Sequence, residues 1–206
     1  MQIGVLGGGQ LSRMMALAAY PLGLKMVVLE PAAQACAGDV APLIQADYTD
    51  QMALDQLAEQ CDVVTWDFEN VPVSSVEYLA QRLDVFPSIQ ALAVGQDRLN
   101  EKTLFHDLGL KTPQFAAVDT RPDLLAAIDR IGLPAVLKTR RMGYDGKGQA
   151  VLRTREDLEP AWQQLGGQAL ILEAFVPFDF ECSIIGVRSQ DGTTLFYPMA
   201  RNLHHK

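Results

Sequence analysis

Cysteine is scarce in this 206-residue chain: Cys36, Cys61 and Cys182 lie far apart, with no Cys-x-x-Cys pair among them. That spacing excludes a disulfide framework and the usual zinc motifs, and leaves three reduced thiols acting as small hydrophobes in a reducing cytoplasm. No apolar run approaches the ~18 residues of a membrane-crossing helix. The MQIGVLGGGQ start has no basic stretch ahead of an apolar one, so neither a membrane partner nor a secretory signal is expected. Cations are also in deficit, with 17 basic against 25 acidic residues and a net charge of −8. A nucleic-acid partner usually calls for the opposite balance, although a local basic site for a small anion remains compatible. What is present is 49% apolar residues with 20% charged, enough to bury a sizeable core and too hydrophobic for disorder. The length suits one to two domains.

Short β-rich runs alternate with helical patterns, the mark of an α/β protein. Residues 2–6 (QIGVL) read as a strand ending in glycines. Leu11, Met14, Met15, Ala18, Ala19 and Leu22 then recur at helical spacing and predict one buried face. Strands are expected at 26–29 and 62–65, a helix capped by Asp50 and running to Gln60, and another from Pro72 through Leu83. These β–α steps predict a parallel sheet with right-handed crossovers. Beyond residue 97 the pattern becomes α+β. A helix at 100–108 and a strand at 115–118 come first, and the Thr120/Asp123 and Thr154/Asp157 capping-box spacings mark two helix starts. Strands 135–138 and 149–152 flank a glycine-rich turn and predict a hairpin, with further strands at 169–173, 182–187 and 194–197. The last residues are polar, with no closing helix, which reads as a fragment.

Three segments carry chemistry. Gly7-Gly8-Gly9-Gln10-Leu11-Ser12 joins a strand to a helix, where free N–H groups and the helix dipole suit an anion. With Glu30 ending the next strand it loosely matches a dinucleotide fingerprint, but Ser12 replaces the third glycine, and a plain tight turn is the alternative. The second segment is Lys138-Thr-Arg-Arg-Met-Gly-Tyr-Asp-Gly-Lys-Gly148, a basic, glycine-rich loop after a strand, suited to folding over phosphates. It is not a Walker loop, since no Gly-Lys-Ser/Thr opens a following helix. The third is carboxylate chemistry at strand ends: Glu173 and Glu181 around FVPFDF, and Asp67 and Glu69 within TWDFENVP. A ribose or an adenine edge could be held there, and a solvated face is the bland alternative. Trp66 and Trp162 read as packing residues, and His204 and His205 have no metal-ligand spacing.

Taken in order, GGGQLSRM, TWDFENVP, KTRRMGYDGKGQ, ILEAFVPFDFE and FYPMARNLHH resemble the 5-(carboxyamino)imidazole ribonucleotide synthases, an ATP-grasp family of purine biosynthesis, along the whole chain. The resemblance implies a Rossmann-like domain at 1–97, a linker and ATP-grasp lid at 98–178, and the start of a C-terminal ATP-grasp domain at 179–206. It implies ATP and Mg2+ as cofactors, with 5-aminoimidazole ribonucleotide and bicarbonate as substrates. A homodimer in the cytoplasm is implied as well, with neither nucleic acid nor membrane as partner. The alternatives are another ATP-grasp carboxylate-amine ligase and a dinucleotide-binding oxidoreductase.

The same resemblance assigns residues. Arg98 and Lys138 would contact ATP phosphates. Gly143, Tyr144, Asp145, Gly146, Lys147, Gly148 and Gln149 would form the loop over the nucleotide. Glu173, Ala174, Phe175 and Val176 would hold the adenine edge, Glu181 the ribose, and His204 another nucleotide contact. Gly8, Gly9, Gln10, Leu11 and Glu69 would face the ribonucleotide. Tyr144, Asp145 and Lys147 would form the catalytic group, with Asp145 orienting the attacking amine and able to deprotonate it. Two departures stand out. Lys147 occupies a position where arginine is common, keeping the charge but losing the planar fork. The magnesium-binding glutamates are expected beyond Lys206, so no metal ligand is expected here and the chain alone is expected to be inactive.

Overall fold

The computed structural model describes residues 1–143 and 147–203. The first half is built on strands β1 (Gln2–Leu6), β2 (Lys25–Glu30), β3 (Leu43–Gln45), β4 (Val63–Trp66) and β5 (Asp84–Val85). They form one parallel sheet in the order β3-β2-β1-β4-β5. Helices α1 (Gln10–Ala19), α2 (Gln51–Gln60) and α3 (Val73–Leu79) alternate with the strands, and α4 (Ile89–Gly95) follows. This is the Rossmann-like half that the βα alternation predicts. Its central strands are continuous runs buried on both faces, with Val5, Leu6, Val28 and Leu29 fully enclosed. Asp50 caps α2 by accepting from the amides of Met52 and Ala53, as expected.

Two expectations change here. The predicted apolar face of α1 is largely turned away from the sheet: Leu11, Met14, Ala18 and Leu22 are exposed, Ala19 is buried as expected, and Ser12 and Ala16 are buried in place of the others. Met15 is half-buried and packs on the core. The helix approaches β1 and β2 closely enough that only small side chains fit, and Ser12 Oγ fixes that contact by donating to Gly7 O at 2.7 Å. The second change is α3, which stops at Leu79, with Pro72 as its N-cap. Backbone bonds from Arg82 and Leu83 to Leu79 O then turn the chain into β5. Strands of two or three residues such as β3 and β5 are too short to show a period, and α4 announces itself only through its Ser88 cap.

The second half starts at α5 (Arg98–Asp107), capped by Asp97. Strands β6 (Phe115–Val118), β7 (Ala135–Thr139), β8 (Gln149–Leu152) and β9 (Leu170–Ala174) form an antiparallel sheet in the order β6-β9-β7-β8. Both capping boxes form. Thr120 and Asp123 open α6 (Arg121–Ile131), and Thr154 and Asp157 open a short turn leading into α7 (Leu158–Leu165). Alternation divides the sheet into two faces. Ala116, Val118, Ala135, Leu137, Leu152, Leu170 and Leu172 pack with α6 and α7 around Leu124, Ile128 and Leu165. Trp162 packs against that core and Trp66 against the other, as expected of both.

The strand expected at 182–187 is two. β10 (Glu181–Ser183) pairs with β13 (Ala200–Asn202), and β11 (Gly186–Arg188) pairs with β12 (Thr194–Phe196), all antiparallel. The register breaks between the ladders, where Tyr197 N bonds Ile185 O. Every described residue from 177 onward is exposed. All three cysteines are free, and among the described residues no helix is long and apolar enough to cross a membrane.

The thiols differ in environment. Burial, with Asp62 nearby, pushes the Cys61 thiol up to about 11, whereas Cys182 is exposed. Ellman's reagent at pH 8 is therefore expected to modify Cys182 first and Cys61 last; equal rates would contradict the packing around Cys61. The folded chain holds the Cys61 proton more tightly than the unfolded chain. That contribution to stability is complete below the ordinary value of 9.0 and lost as pH rises through about 11.

Candidate functional site

The glycine turn after β1 is closed by carboxylates. Gly8 N donates to Glu30 Oε2 at 3.0 Å, and Gly9 N and Ser12 N donate to Asp67 Oδ2 at 3.1 and 3.4 Å. Glu30 also accepts from Ala32 N and from the Tyr48 hydroxyl, and its charge with burial raises the Tyr48 phenol far above the ordinary range. This corrects the expectation of free N–H groups for an anion: the protein's own carboxylates take those donors. Glu30 itself is held by the turn, through Oε2 to Gly8 N and the Tyr48 hydroxyl and through Oε1 to Ala32 N.

The reason lies in the chain's local chemistry. Gly9 is the N-cap of α1 and has no side chain to cap with. Asp67, just past β4 on the neighbouring strand, reaches across and supplies the missing acceptor, next to the positive end of the helix dipole. Gly7 permits this approach. Its φ is +111°, and a Cβ there would lie 1.7 Å from Asp67 Oδ1. Gln10 and Leu11 remain exposed at the start of the helix, and Glu69 is exposed two residues past Asp67.

The lid sheet's second face, away from α6 and α7, sets Lys138, Gln149 and Glu173 among apolar neighbours that include Val136 and the fully buried Ile171. Register puts Lys138 opposite Gln149 on β8 and diagonal to Glu173 on β9. Glu173 is only 4% exposed, an unusual burial for a carboxylate. Its Oε2 accepts from Lys138 Nζ at 3.0 Å, and Lys102 Nζ of α5 stands 3.4 Å from the same oxygen. Oε1 is buried with no hydrogen-bond partner. Lys102 was not singled out from the sequence, because a lysine within a polar helix carries no local signal; its i+4 offset from Arg98 is the one available clue.

Of the other loop cations, Arg140 donates through Nε to Leu170 O at 2.9 Å and pairs with Asp119 at 2.9 Å. Arg141 lies 3.7 Å from Asp97. These two tie the hairpin to its surroundings, whereas Lys138 at the strand end faces Glu173. Arg98 ties the start of α5 to the hairpin loop: its N bonds Arg140 O at 3.0 Å and its Nη2 donates to Gly143 O at 3.2 Å. A cavity of about 340 Å³ opens there, lined by Glu69, Gln96, Arg98, Glu101, Arg140 and Gly143.

After β9, Ala174 N and Phe175 N donate to Gln114 O and Pro134 O. Val176 O accepts from Phe178 N. Gly148 has φ +71° and packs on Thr139. Lys147, Gln149 and Glu181 are exposed. Tyr144, Asp145, Gly146 and His204 lie outside the described residues. Among the described residues, no group of three or more His, Cys, Asp or Glu side chains could hold a metal ion.

A Rossmann-like sheet, a lid sheet with two lysines converging on a buried glutamate, and a glycine loop after the lysine strand together have the architecture of the ATP-grasp class. The chain belongs to the ATP-grasp family: the ATP-grasp domain matches residues 103–206, and the ribonucleotide synthetase preATP-grasp domain matches residues 1–96. Over 99% of its length it is 52% identical to the N5-carboxyaminoimidazole ribonucleotide synthase of Pseudomonas aeruginosa. The structure of the Thermus thermophilus N5-carboxyaminoimidazole ribonucleotide synthetase superposes with a TM-score of 0.91 at 50% identity, over 98% of this chain. The Aspergillus clavatus N5-carboxyaminoimidazole synthase in complex with ADP and 5-aminoimidazole ribonucleotide superposes with a TM-score of 0.84 at 28% identity, over 99% of this chain. The resemblance read from the motifs is borne out. The chain spans about half the length of the relatives it matches: 57% of the Pseudomonas protein, 55% of the Thermus chain and 54% of the Aspergillus chain.

The carboxylate cap is open to test. Asp67→Ala removes the acceptor of Gly9 N and Ser12 N and is expected to cost about 1–2 kcal/mol by urea denaturation. An unchanged midpoint would contradict the cap.

Proposed function

We propose that the protein carboxylates 5-aminoimidazole ribonucleotide, using ATP and bicarbonate, in de novo purine biosynthesis. Bicarbonate oxygen attacks the γ-phosphorus of ATP, giving carboxyphosphate and ADP. The exocyclic amine of the ribonucleotide then attacks the carboxyl carbon, phosphate leaves, and the amine loses a proton to give the carbamate. The carrying observation is the cavity where Glu69 of the first half meets Arg98, Arg140 and Gly143 of the second. It is where a nucleotide on the lid sheet and a ribonucleotide at the glycine turn would share one space.

In this reading the chain's residues bind, orient and neutralise. Lys138 and Arg98 offset the charge on the transferring phosphoryl group, and preorganised cations do this better than water because they need not reorganise. Glu173, Ala174, Phe175 and Val176 hold the adenine edge. With the Ala174 and Phe175 amides already bonded, Val176 N is the backbone donor this stretch offers. Gly143, Tyr144, Asp145, Gly146, Lys147, Gly148 and Gln149 cover the phosphates and keep water from carboxyphosphate. Glu181 and His204 complete the nucleotide side. Gly8, Gly9, Gln10, Leu11 and Glu69 face the ribonucleotide, with Asp145 at the attacking amine and Tyr144 and Lys147 beside it.

Because carboxylates already close the glycine turn, the ribonucleotide meets it through Gln10 and Leu11 and not through a phosphate laid on Gly8 and Gly9. Magnesium belongs to the same reading, but the described residues do not form a site for it, and no step above runs through it. The reading divides the chain at residues 97 and 178, and includes a cytoplasmic homodimer.

The test is ADP formation by the native-length protein with Mg-ATP and bicarbonate, with and without 5-aminoimidazole ribonucleotide. Release that depends on the ribonucleotide is expected. Release indifferent to it would move the substrate to another carboxylate-amine ligase, and no release under any condition would overturn the reading.

A further inference from the structure

Glu173 is partnered by more positive charge than it needs. One ammonium neutralises one carboxylate, yet Lys138 Nζ at 3.0 Å and Lys102 Nζ at 3.4 Å both converge on Oε2. Two like charges sharing one oxygen repel each other, so the group carries one positive charge that the carboxylate does not offset and that an incoming anion can take up. The two lysines are not equivalent. Lys138 rises from the sheet opposite Gln149, at the strand end that leads into the glycine loop. Lys102 comes from α5, one turn past Arg98, and its side chain is the less exposed of the two, at 17% against 22%.

We propose that Lys102 is a positioning residue that keeps Glu173 paired while Lys138 turns to the nucleotide phosphates. The proposal deepens the nucleotide reading above and rests on it. A carboxylate at this depth is costly to leave unpaired, because burial removes the water that would otherwise hold its charge. If Lys138 were its sole partner, every nucleotide that recruited Lys138 would strand Glu173, and the cost would fall on binding. With Lys102 fixed on the same oxygen, the carboxylate stays neutralised and Lys138 is free to move. Lys102 therefore acts through Glu173 and makes no contact with the nucleotide. Removal of Lys102 leaves the resting structure with its Lys138–Glu173 pair and shows itself when ligand arrives.

The experiment is calorimetric titration of ADP into the wild-type protein, Lys102→Met, Lys102→Arg, Glu173→Gln and the Lys102→Met/Glu173→Gln pair, with thermal melts to confirm folding. Lys102→Met is expected to weaken ADP binding about ten-fold or more, and Lys102→Arg to restore it to within about three-fold. In the Glu173→Gln background, where no buried charge is left to hold, Lys102→Met is expected to change affinity by less than about two-fold. The same loss in both backgrounds would make Lys102 a direct phosphate contact and overturn the proposal. So would wild-type affinity in Lys102→Met. If Lys102→Met fails to fold, Lys102→Gln takes its place in the same cycle. A wild-type protein that binds no ADP is a different result, since it removes the nucleotide reading itself.

Discussion

Glu173 carries its charge on the sheet face that α6 and α7 leave uncovered, buried deeply enough that it can be tolerated there only with cations brought to it. One comes from the adjacent strand and one from α5, so the carboxylate joins the helix that opens the second half to the sheet that follows it. Arg98, on the same helix, bonds the loop at Gly143. Lys102 and Arg98 lie one turn apart on α5, so one helix serves both the buried carboxylate and the loop. Its second oxygen, buried and without a partner, is a group that a bound ligand would satisfy.

The chain contains two places where an anion could sit, and the structure treats them in opposite ways. The glycine turn has helix amides and a favourable dipole, but Glu30 and Asp67 already occupy three of its donors. The lid face has a surplus of ammonium groups around one carboxylate. An incoming polyanion is repelled at the first and attracted at the second. This division favours phosphate binding on the lid and leaves the Rossmann-like half to recognise the other substrate, through side chains and the start of α1. It also accounts for the absence of a dinucleotide fingerprint: with Ser12 Oγ bonded to Gly7 O, the residue in place of the third glycine braces the turn.

Local chemistry made much of this legible in advance. Asp50, Thr120 and Thr154 announce helix starts because capping is a contact within four residues, and all three form. The hairpin of β7 and β8 follows from its glycine loop. The phase of α1 was not legible. Leu11 and Met14 are the hydrophobic choice on periodicity alone, and only the close approach of the helix to β1 and β2 selects Ser12 and Ala16 instead, with Ala19 common to both. Lys138, Glu173 and Asp67 are readable as strand-end charges within motifs, whereas Lys102 is not, and the contacts of Lys102 and Asp67 reach 71 and 58 residues away, to Glu173 and to Gly9. Long-range pairing of that kind leaves no mark on the local pattern, and in both cases it decides what the neighbouring motif can bind.

Photolabelling with 8-azido-ADP, followed by peptide mapping, tests the central claim most directly. If the nucleotide lies on the lid sheet's open face, saturable labelling that ADP suppresses falls on peptides containing residues 135–149 or 170–176. Labelling concentrated on residues 2–12, around the glycine turn, would contradict it.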